Sequence, residues 1–477
     1  MLSNKGYGAI KVHHLETVDS DEEENYEEID DSIHSHKNAH SMISTVRSTV
    51  RSILIFGGDN ASVRELCGQA TITSEVFNIA KNLVGSGCLS LPGGIAMYAD
   101  DPSAVVSACV LIAIVGSIFA YYCILQGRIC RITHAFSYGE SWEESVGEKG
   151  ALAVSLVIAT YPALGCLGCS IILCETFASL SKTIGFPMSR ITCLTLITIL
   201  ALLPLCLLKN LAVLAPFSFI GVFVTVLAAG AMMMRYVDGS YLPGGQYYGD
   251  IADTFKPSFG SRQDLLSLHS LPFICMIFAA YVMHYNSPRF YVELKQATVP
   301  RYTRAVSGAF GLSTAIYFIM AVAGFLTFGG NSDSLILNNY SPHDPLAAFC
   351  RLAIAISVLL NFPVSFIGFR DAVLDVFKIP LELQTSRNMD ALTIVLLSII
   401  TAVAASVTDL GMVNALAGGL FGILIVFVFP TIMFRAVQTK SLENIAKGPA
   451  PDVGFATGLM VVGVSVGVIG TFVSIFM

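Results

Sequence analysis

The stretch Asn82-Leu83-Val84-Gly85-Ser86-Gly87-Cys88-Leu89-Ser90-Leu91-Pro92-Gly93-Gly94 places four glycines and a proline within ten residues of an otherwise apolar block. Glycine admits non-helical dihedrals and proline removes a backbone donor, so a helix through this block is expected to unwind near Gly85-Ser86-Gly87. Freed N–H groups favour an anion and freed carbonyls a cation. A carboxylate with a metal ion, or a carboxylate with an ammonium, matches such a pair. The competing reading is a tight helix–helix contact through small residues. Pro92-Gly93-Gly94 and the polar Asn82 weigh toward the broken helix. A second irregular stretch starts from the apolar run Leu271 to Met283 and ends on His284-Tyr285-Asn286-Ser287-Pro288-Arg289. Pro288 disfavours helix at Ser287. His284 and Asn286 are costly in lipid unless they face a cavity or a partner. Cys166 and Cys169 form a Cys-x-x-Cys with neither a second pair nor a histidine cluster, and are expected to pack as small apolar side chains.

The elements that carry these residues are membrane helices. Hydrophobic residues make up 54% of the 477 and charged residues only 13%, with a mean hydropathy of +0.69. A soluble protein carries roughly 25% charged residues. Eleven apolar blocks follow one another, near 74–99, 103–127, 151–178, 191–208, 211–234, 267–288, 305–328, 346–369, 391–408, 410–434 and 454–476. Most reach the length that crosses a ~30 Å hydrocarbon core, and no period-two alternation points to a barrel. The expected fold is an all-α polytopic membrane protein. Residues 1–70 read as a disordered acidic cytoplasmic tail with its densest acidic run at Asp19–Asp31, and 71–477 as an eleven-helix domain. The tail holds an acidic-directed kinase pattern at Ser20-Asp21-Glu22-Glu23 and a Tyr-x-x-apolar sorting pattern at Tyr26-Glu27-Glu28-Ile29, both short enough to be plain solvated chain. No signal peptide opens the sequence, so the first span is expected to direct insertion. Nothing in the charge distribution points to nucleic acid.

With the N-terminus inside, the inner loops hold fourteen basic residues against six outside, which supports that orientation and puts the C-terminus outside. The long outer loop 235–266, with Pro243-Gly244-Gly245 and several tyrosines, is expected to fold over the outer mouth. Asn339-Tyr340-Ser341 is a glycosylation sequon that Pro342 is expected to weaken.

The two irregular blocks, one and six, are related by a shift of five, which fits an inverted five-plus-five repeat around a midplane site. The residues Asn82 to Pro92 resemble the first-helix motif of the amino acid/auxin permease family. His284 through Pro288-Arg289-Phe290-Tyr291-Val292-Glu293-Leu294 resembles that family's sixth-helix ending, and the likeness covers about 74–476. The resemblance implies a LeuT-like fold of ten core helices plus an eleventh. It also implies secondary active transport of amino acids, most simply neutral ones, coupled to a proton or sodium gradient. One departure bears on the ion. The sodium-coupled neutral amino acid branch has threonines before the proline of its eighth helix, where this chain reads Val358-Leu359-Leu360-Asn361-Phe362-Pro363. The outer loops also lack the cysteines that form a disulfide in several animal members.

On this reading Gly85, Ser86 and Gly87 bind the substrate carboxylate through backbone N–H groups. Tyr281 either closes over the substrate or simply packs. Asn82, Ser357 and Asn361 are candidates for a cation site, Asn361 equally for an interhelical hydrogen bond. Glu175, late in the third block, either carries a proton or reaches water. His284 is the other titratable candidate, set against a structural histidine. Lys81 and Arg351 are expected to snorkel to the membrane surface. The expected partners are an amino acid, a proton or sodium, and membrane lipid, with no cofactor and no metal beyond sodium. The membrane is the plasma membrane or a vacuolar or lysosomal one. A non-transporting amino acid receptor on the same scaffold and an ion channel are the alternatives. The sequence shows neither the repeated polar rings of a pore nor the motifs of an intramembrane enzyme.

Overall fold

The computed structural model describes residues 68, 70–183, 185–207, 217–442 and 451–476. The kinase and sorting patterns of the N-terminal tail lie outside them. Among the described residues nine helices are long and apolar enough to cross a membrane. Two further blocks complete the eleven: the first, interrupted within the bilayer, and the fourth, a short apolar run over Arg190–Cys206.

The first span is Ile72–Leu83, a 3₁₀ turn Ser86–Ser90, and Leu91–Tyr98. The second, third and fifth are Ala104–Thr133, Ala151–Thr183 and Phe217–Val237. The sixth is Leu271–Tyr281, a 3₁₀ turn His284–Asn286, and Ser287–Glu293. The seventh, eighth and ninth are Val299–Phe328, Pro345–Val376 and Ser386–Ser406. The tenth runs from Leu410 to Leu442 through two π-wound stretches, and the eleventh is Pro451–Phe476. Side-chain oxygens of Thr71, Ser189, Asp344, Thr385 and Asp409 cap the first turns of spans one, four, eight, nine and ten. Such caps satisfy amide groups that a helix start leaves bare. Large apolar side chains stay exposed on the ninth span (Ile394, Val395, Ile399) and the eleventh (Val461, Val462, Phe472), as a lipid-facing surface requires.

The packing repeats itself under a shift of five. The first span packs on the seventh and fifth, and the sixth packs on the second and tenth. The fifth packs on the eighth, and the tenth on the third. Third against fourth is matched by eighth against ninth. An odd shift pairs helices that cross the membrane in opposite directions, so the repeat is inverted. The eleventh span lies outside it, against the sixth and tenth.

Two expectations change on the sixth span. Ser287 takes helical angles (φ −55°, ψ −43°) and opens the helix Ser287–Glu293, with Pro288 as its second residue. Proline is tolerated there because that N–H would be unsatisfied anyway. The break lies earlier, at Val282 and Met283, where ψ of Val282 is 110°. In the first span, likewise, Pro92 is the second residue of a helix. Gly93 and Gly94 are helical, and a Cβ on either would stand 2.5 Å from the Asp333 carbonyl oxygen or 2.7 Å from the Phe273 ring. Those two glycines serve close packing, and the unwinding is confined to Val84–Ser90.

The loop between the fifth and sixth spans covers the end of the molecule opposite the N-terminal side. The Arg262 guanidinium donates to the Ala96 carbonyl (2.8 Å), and its backbone N–H to Asp100 Oδ1 (2.7 Å). Asp264 N–H donates to Tyr98 O, and Ser258 pairs with Gly329. Buried Asp344 receives Arg235 Nη2 at 2.6 Å and the Tyr241 hydroxyl at 2.9 Å. Asn339 is fully buried, with Oδ1 accepting from Asp333 N–H and Nδ2 donating to Asn331 O, so the sequon is folded into the protein.

Candidate substrate and ion site

The two breaks face each other. A Cβ on Gly87 would lie 2.7 Å from Cα of Ala280, so the turn of the first span rests on the last helical turn before the break in the sixth. At Gly85 the same position meets nothing within 4 Å, and this glycine faces open space. A 3₁₀ turn leaves its first N–H groups without partners in the turn, here on Ser86 and Gly87. Freed carbonyls are served by side chains. The Cys88 thiol reaches Gly85 O at 3.1 Å, and the Ser90 hydroxyl donates to Gly87 O at 2.9 Å. Asn414 of the tenth span donates to Ser90 Oγ. Tyr317, on the seventh span and fully buried, shares its hydroxyl between Leu83 O (2.7 Å) and Ala280 O (2.6 Å). Tyr161 of the third span donates to Ala279 O.

The other expected residues divide. The Tyr281 hydroxyl lies on Thr314 Oγ1 at 2.6 Å, and its ring stacks on Phe310 (centroids 5.7 Å apart) and meets Tyr317 edge-on at 4.9 Å. Glu175 is 26% exposed and joined to Arg190 Nε at 2.7 Å. Arg190 also donates to the carbonyls of Ala404, Ala405 and Val407, so this pair ties the third and fourth spans to the end of the ninth. His284 is fully buried with Nε2 at 2.8 Å from Phe119 O. A carbonyl only accepts, so Nε2 carries the proton and Nδ1, which has no partner, holds a lone pair. Asn82 Oδ1 is buried without a hydrogen bond. Asn361 lies one helical turn beyond Ser357 on the eighth span. Cys166 and Cys169 are buried thiols of the third span.

Lys81 and Arg351 do not snorkel. Lys81 is 6% exposed, and its Nζ donates to Ser357 Oγ (2.8 Å) and Ser357 O (2.9 Å). Arg351 is 2% exposed and donates to the carbonyls of Leu337, Tyr340 and Ser341, where it ties down the loop before its own helix. One signal for Lys81 was in the sequence: it lies seven residues inside its block, roughly 10 Å of helix from the edge. Tyr317 and Tyr161 carried no such signal, because a tyrosine in an apolar helix reads as packing until its partner is known.

Residues 68–476 match the family described as transmembrane amino acid transporter protein. The chain belongs to this amino acid transporter family. It transports amino acids across a membrane, as a multi-pass integral protein. It is 25% identical over 415 residues to the Danio rerio protein provisionally named sodium-coupled neutral amino acid transporter 11, covering 84% of this chain and 86% of that one. It is 23% identical over 435 residues to amino acid transporter AVT6E of Arabidopsis thaliana, covering 85% and 83%. The crystal structure of MhsT in complex with L-phenylalanine shares the LeuT-like fold, with a TM-score of 0.54 at 13% identity over 84% of this transporter and 98% of that chain.

Proposed function

We propose that this transporter accumulates neutral amino acids by secondary active symport with protons, through alternating access around the breaks in its first and sixth spans. The observation that carries the reading is the junction at Gly87 and Ala280, where one tyrosine hydroxyl holds carbonyls of both broken helices. The N–H groups of Ser86 and Gly87 receive the substrate carboxylate, and carbonyls released by Tyr317 receive its ammonium. Carbonyls, hydroxyls and a thiol surround the junction, which suits a substrate whose side chain is uncharged. Rocking of the two halves parts the junction on one side and then the other, while the substrate stays at the midplane.

His284 supports the proton. Its free Nδ1 can take a proton while Nε2–H keeps Phe119 O. Glu175 already has a fixed partner in Arg190. A sodium-driven cycle is the second reading, favoured by the buried, unpartnered Oδ1 of Asn82 and by the name of the Danio rerio relative. The N-terminus lies in the cytoplasm, and the membrane is the plasma membrane or a vacuolar or lysosomal one.

The test is uptake of a panel of amino acids by the purified full chain in liposomes. Saturable accumulation of neutral amino acids under an inward proton gradient without sodium is expected, with loss of the pH response in His284→Ala. Accumulation that needs sodium and ignores pH would reject the proton. No saturable flux under either gradient would leave a receptor, and unsaturable flux a channel.

A further inference from the structure

Lys81 is the cation of the first span, and among the described residues it is paired with no carboxylate. Its ammonium is buried between the first, fifth and eighth spans, with Ser357 O and Oγ as acceptors. The Ser357 hydroxyl donates to Gly221 O at 3.1 Å and lies 3.2 Å from Thr225 Oγ1, which itself donates to Gly221 O. The fifth span is cut away to admit the lysine. A Cβ on Gly221 would stand 2.5 Å from Lys81 Cε and 3.0 Å from Nζ. The ammonium rests on the two Ser357 oxygens, with Thr225 Oγ1 and Gly221 O bonded behind them, so the nest around the glycine gap holds two carbonyls and two hydroxyls from two helices and, among the described residues, no carboxylate. Such a set of neutral oxygens is what a small desolvated monovalent cation is bound by.

We infer that the Lys81 ammonium is a tethered cation that fills an alkali-ion nest between the first, fifth and eighth spans, so that the carrier binds its substrate without sodium. The inference rests on the carrier reading above, and it names the occupant of a site that the sequence pointed to through Ser357. A covalently held ammonium is present at every moment of the cycle. It bridges the first span to the eighth at no cost in translational entropy, which a free ion loses on binding. A chain with a small apolar side chain at 81 would have the same oxygens and an empty nest.

The experiment uses the purified full chain and two readouts. The first is thermal stability in sodium chloride against choline chloride at equal ionic strength, read without substrate and therefore independent of whether the chain transports. The wild type is expected to melt at the same temperature in both. Lys81→Ala is expected to melt lower in choline and to regain about 3 °C or more in sodium or methylammonium, since a ligand bound only by the folded state raises the midpoint. Lys81→Met, which keeps the stem and removes the charge, fills the nest and is expected to show no cation response, so a folding failure of the alanine variant can be recognised. The second readout is uptake in liposomes. Lys81→Ala is expected to lose about 10-fold in choline and to recover with sodium or methylammonium, as a refilled site restores the competent state. A wild type stabilised specifically by sodium overturns the inference. So does a folded Lys81→Ala indifferent to every monovalent cation. If Lys81→Ala does not fold, Gly221→Ala decides: displaced from the nest, the lysine gives way, and sodium is expected to stabilise that variant. No sodium effect there overturns the inference too.

Discussion

Gly85 and Gly87 stand two residues apart and meet different surroundings. A side chain at 87 would collide with the backbone of Ala280, whereas a methyl group at 85 would enter open space. Gly87→Leu is therefore expected to force the first span off the sixth, with the ~1–3 kcal/mol cost of an overpacked core or more, and to abolish uptake. Gly85→Ala is expected to keep the wild-type melting temperature and to lower apparent substrate affinity, because the methyl group stands where the carboxylate approaches. Equal melting temperatures and equal uptake in both variants would reject the assignment. Tyr317 has a second prediction attached. Tyr317→Phe takes the hydroxyl donor from Ala280 O and leaves Leu83 O only the Gly85 N–H, a loss of about 1–3 kcal/mol for a buried group left unsatisfied. A melting temperature at least as high as the wild type would show that the hydroxyl is not what satisfies those carbonyls. The glycine break was legible in sequence because glycine and proline act locally. The fate of Lys81 was only half legible. Its depth could be counted along the helix, but the serine that receives it is 276 residues away. Tyr281 and Tyr317 show the same limit: which hydroxyl bonds the carbonyls at the break depends on how each helix is rotated, and the apolar character of both spans hides that rotation.

At the scale of elements, the N-terminal half of the first span is clasped to the end of the sixth. Ala70 N–H donates to Glu293 O at 3.0 Å, Lys295 N–H donates to Ala70 O at 2.9 Å, and Ala70 forms a parallel bridge with Leu294. The Arg289–Glu293 pair spans one turn of the same sixth-span helix. Both ends of the first span are thus tied, this one to the sixth span and the other to the loop through Arg262 and Asp100. Alternating access requires each tie to open in turn. A disulfide between cysteines placed at Ala70 and Leu294 is expected to hold the N-terminal side closed, to stop uptake, and to release it on reduction. Full uptake with the cross-link formed would mean that this pair stays together throughout the cycle. The clasp was invisible in the sequence, because it is made by backbone groups. The positions of the breaks were visible to within a turn. The error at Pro288 arose because proline marks the start of a helix as well as the end of one.

For the whole molecule, the shift of five explains more than the two breaks. Contacts between first and fifth spans recur between sixth and tenth, and those between fifth and eighth recur between tenth and third. Little residue identity between the halves accompanies this. What is shared is helix length, order and the place of each break, and such features survive when side chains diverge because the bilayer fixes them. Span number and loop polarity therefore carry the topology, and they make the last prediction. Eleven crossings put the two ends of the chain on opposite sides of the membrane. The side expected to face the cytoplasm has Arg128, Arg131 and Lys149; Lys209; Arg289, Lys295, Arg301 and Arg304; Arg370, Lys378 and Arg387; and Arg435, Lys440 and Lys447. The outer side has Lys182, Arg190, Arg235, Lys256, Arg262 and Arg351, and of these Arg351 is buried within the protein rather than standing at its surface. Basic residues in short loops resist translocation, so the side with fourteen is expected to stay in the cytoplasm. A tag at residue 40 is expected to be reached by a membrane-impermeant reagent only after permeabilisation, and a tag after Met477 without it. In an organelle membrane the second tag lies in the lumen, and protease added to intact vesicles removes the first tag alone. Both tags on one side would require an even number of crossings. The segment to fail would then be the fourth, whose Arg190–Cys206 helix is the shortest of the unbroken spans.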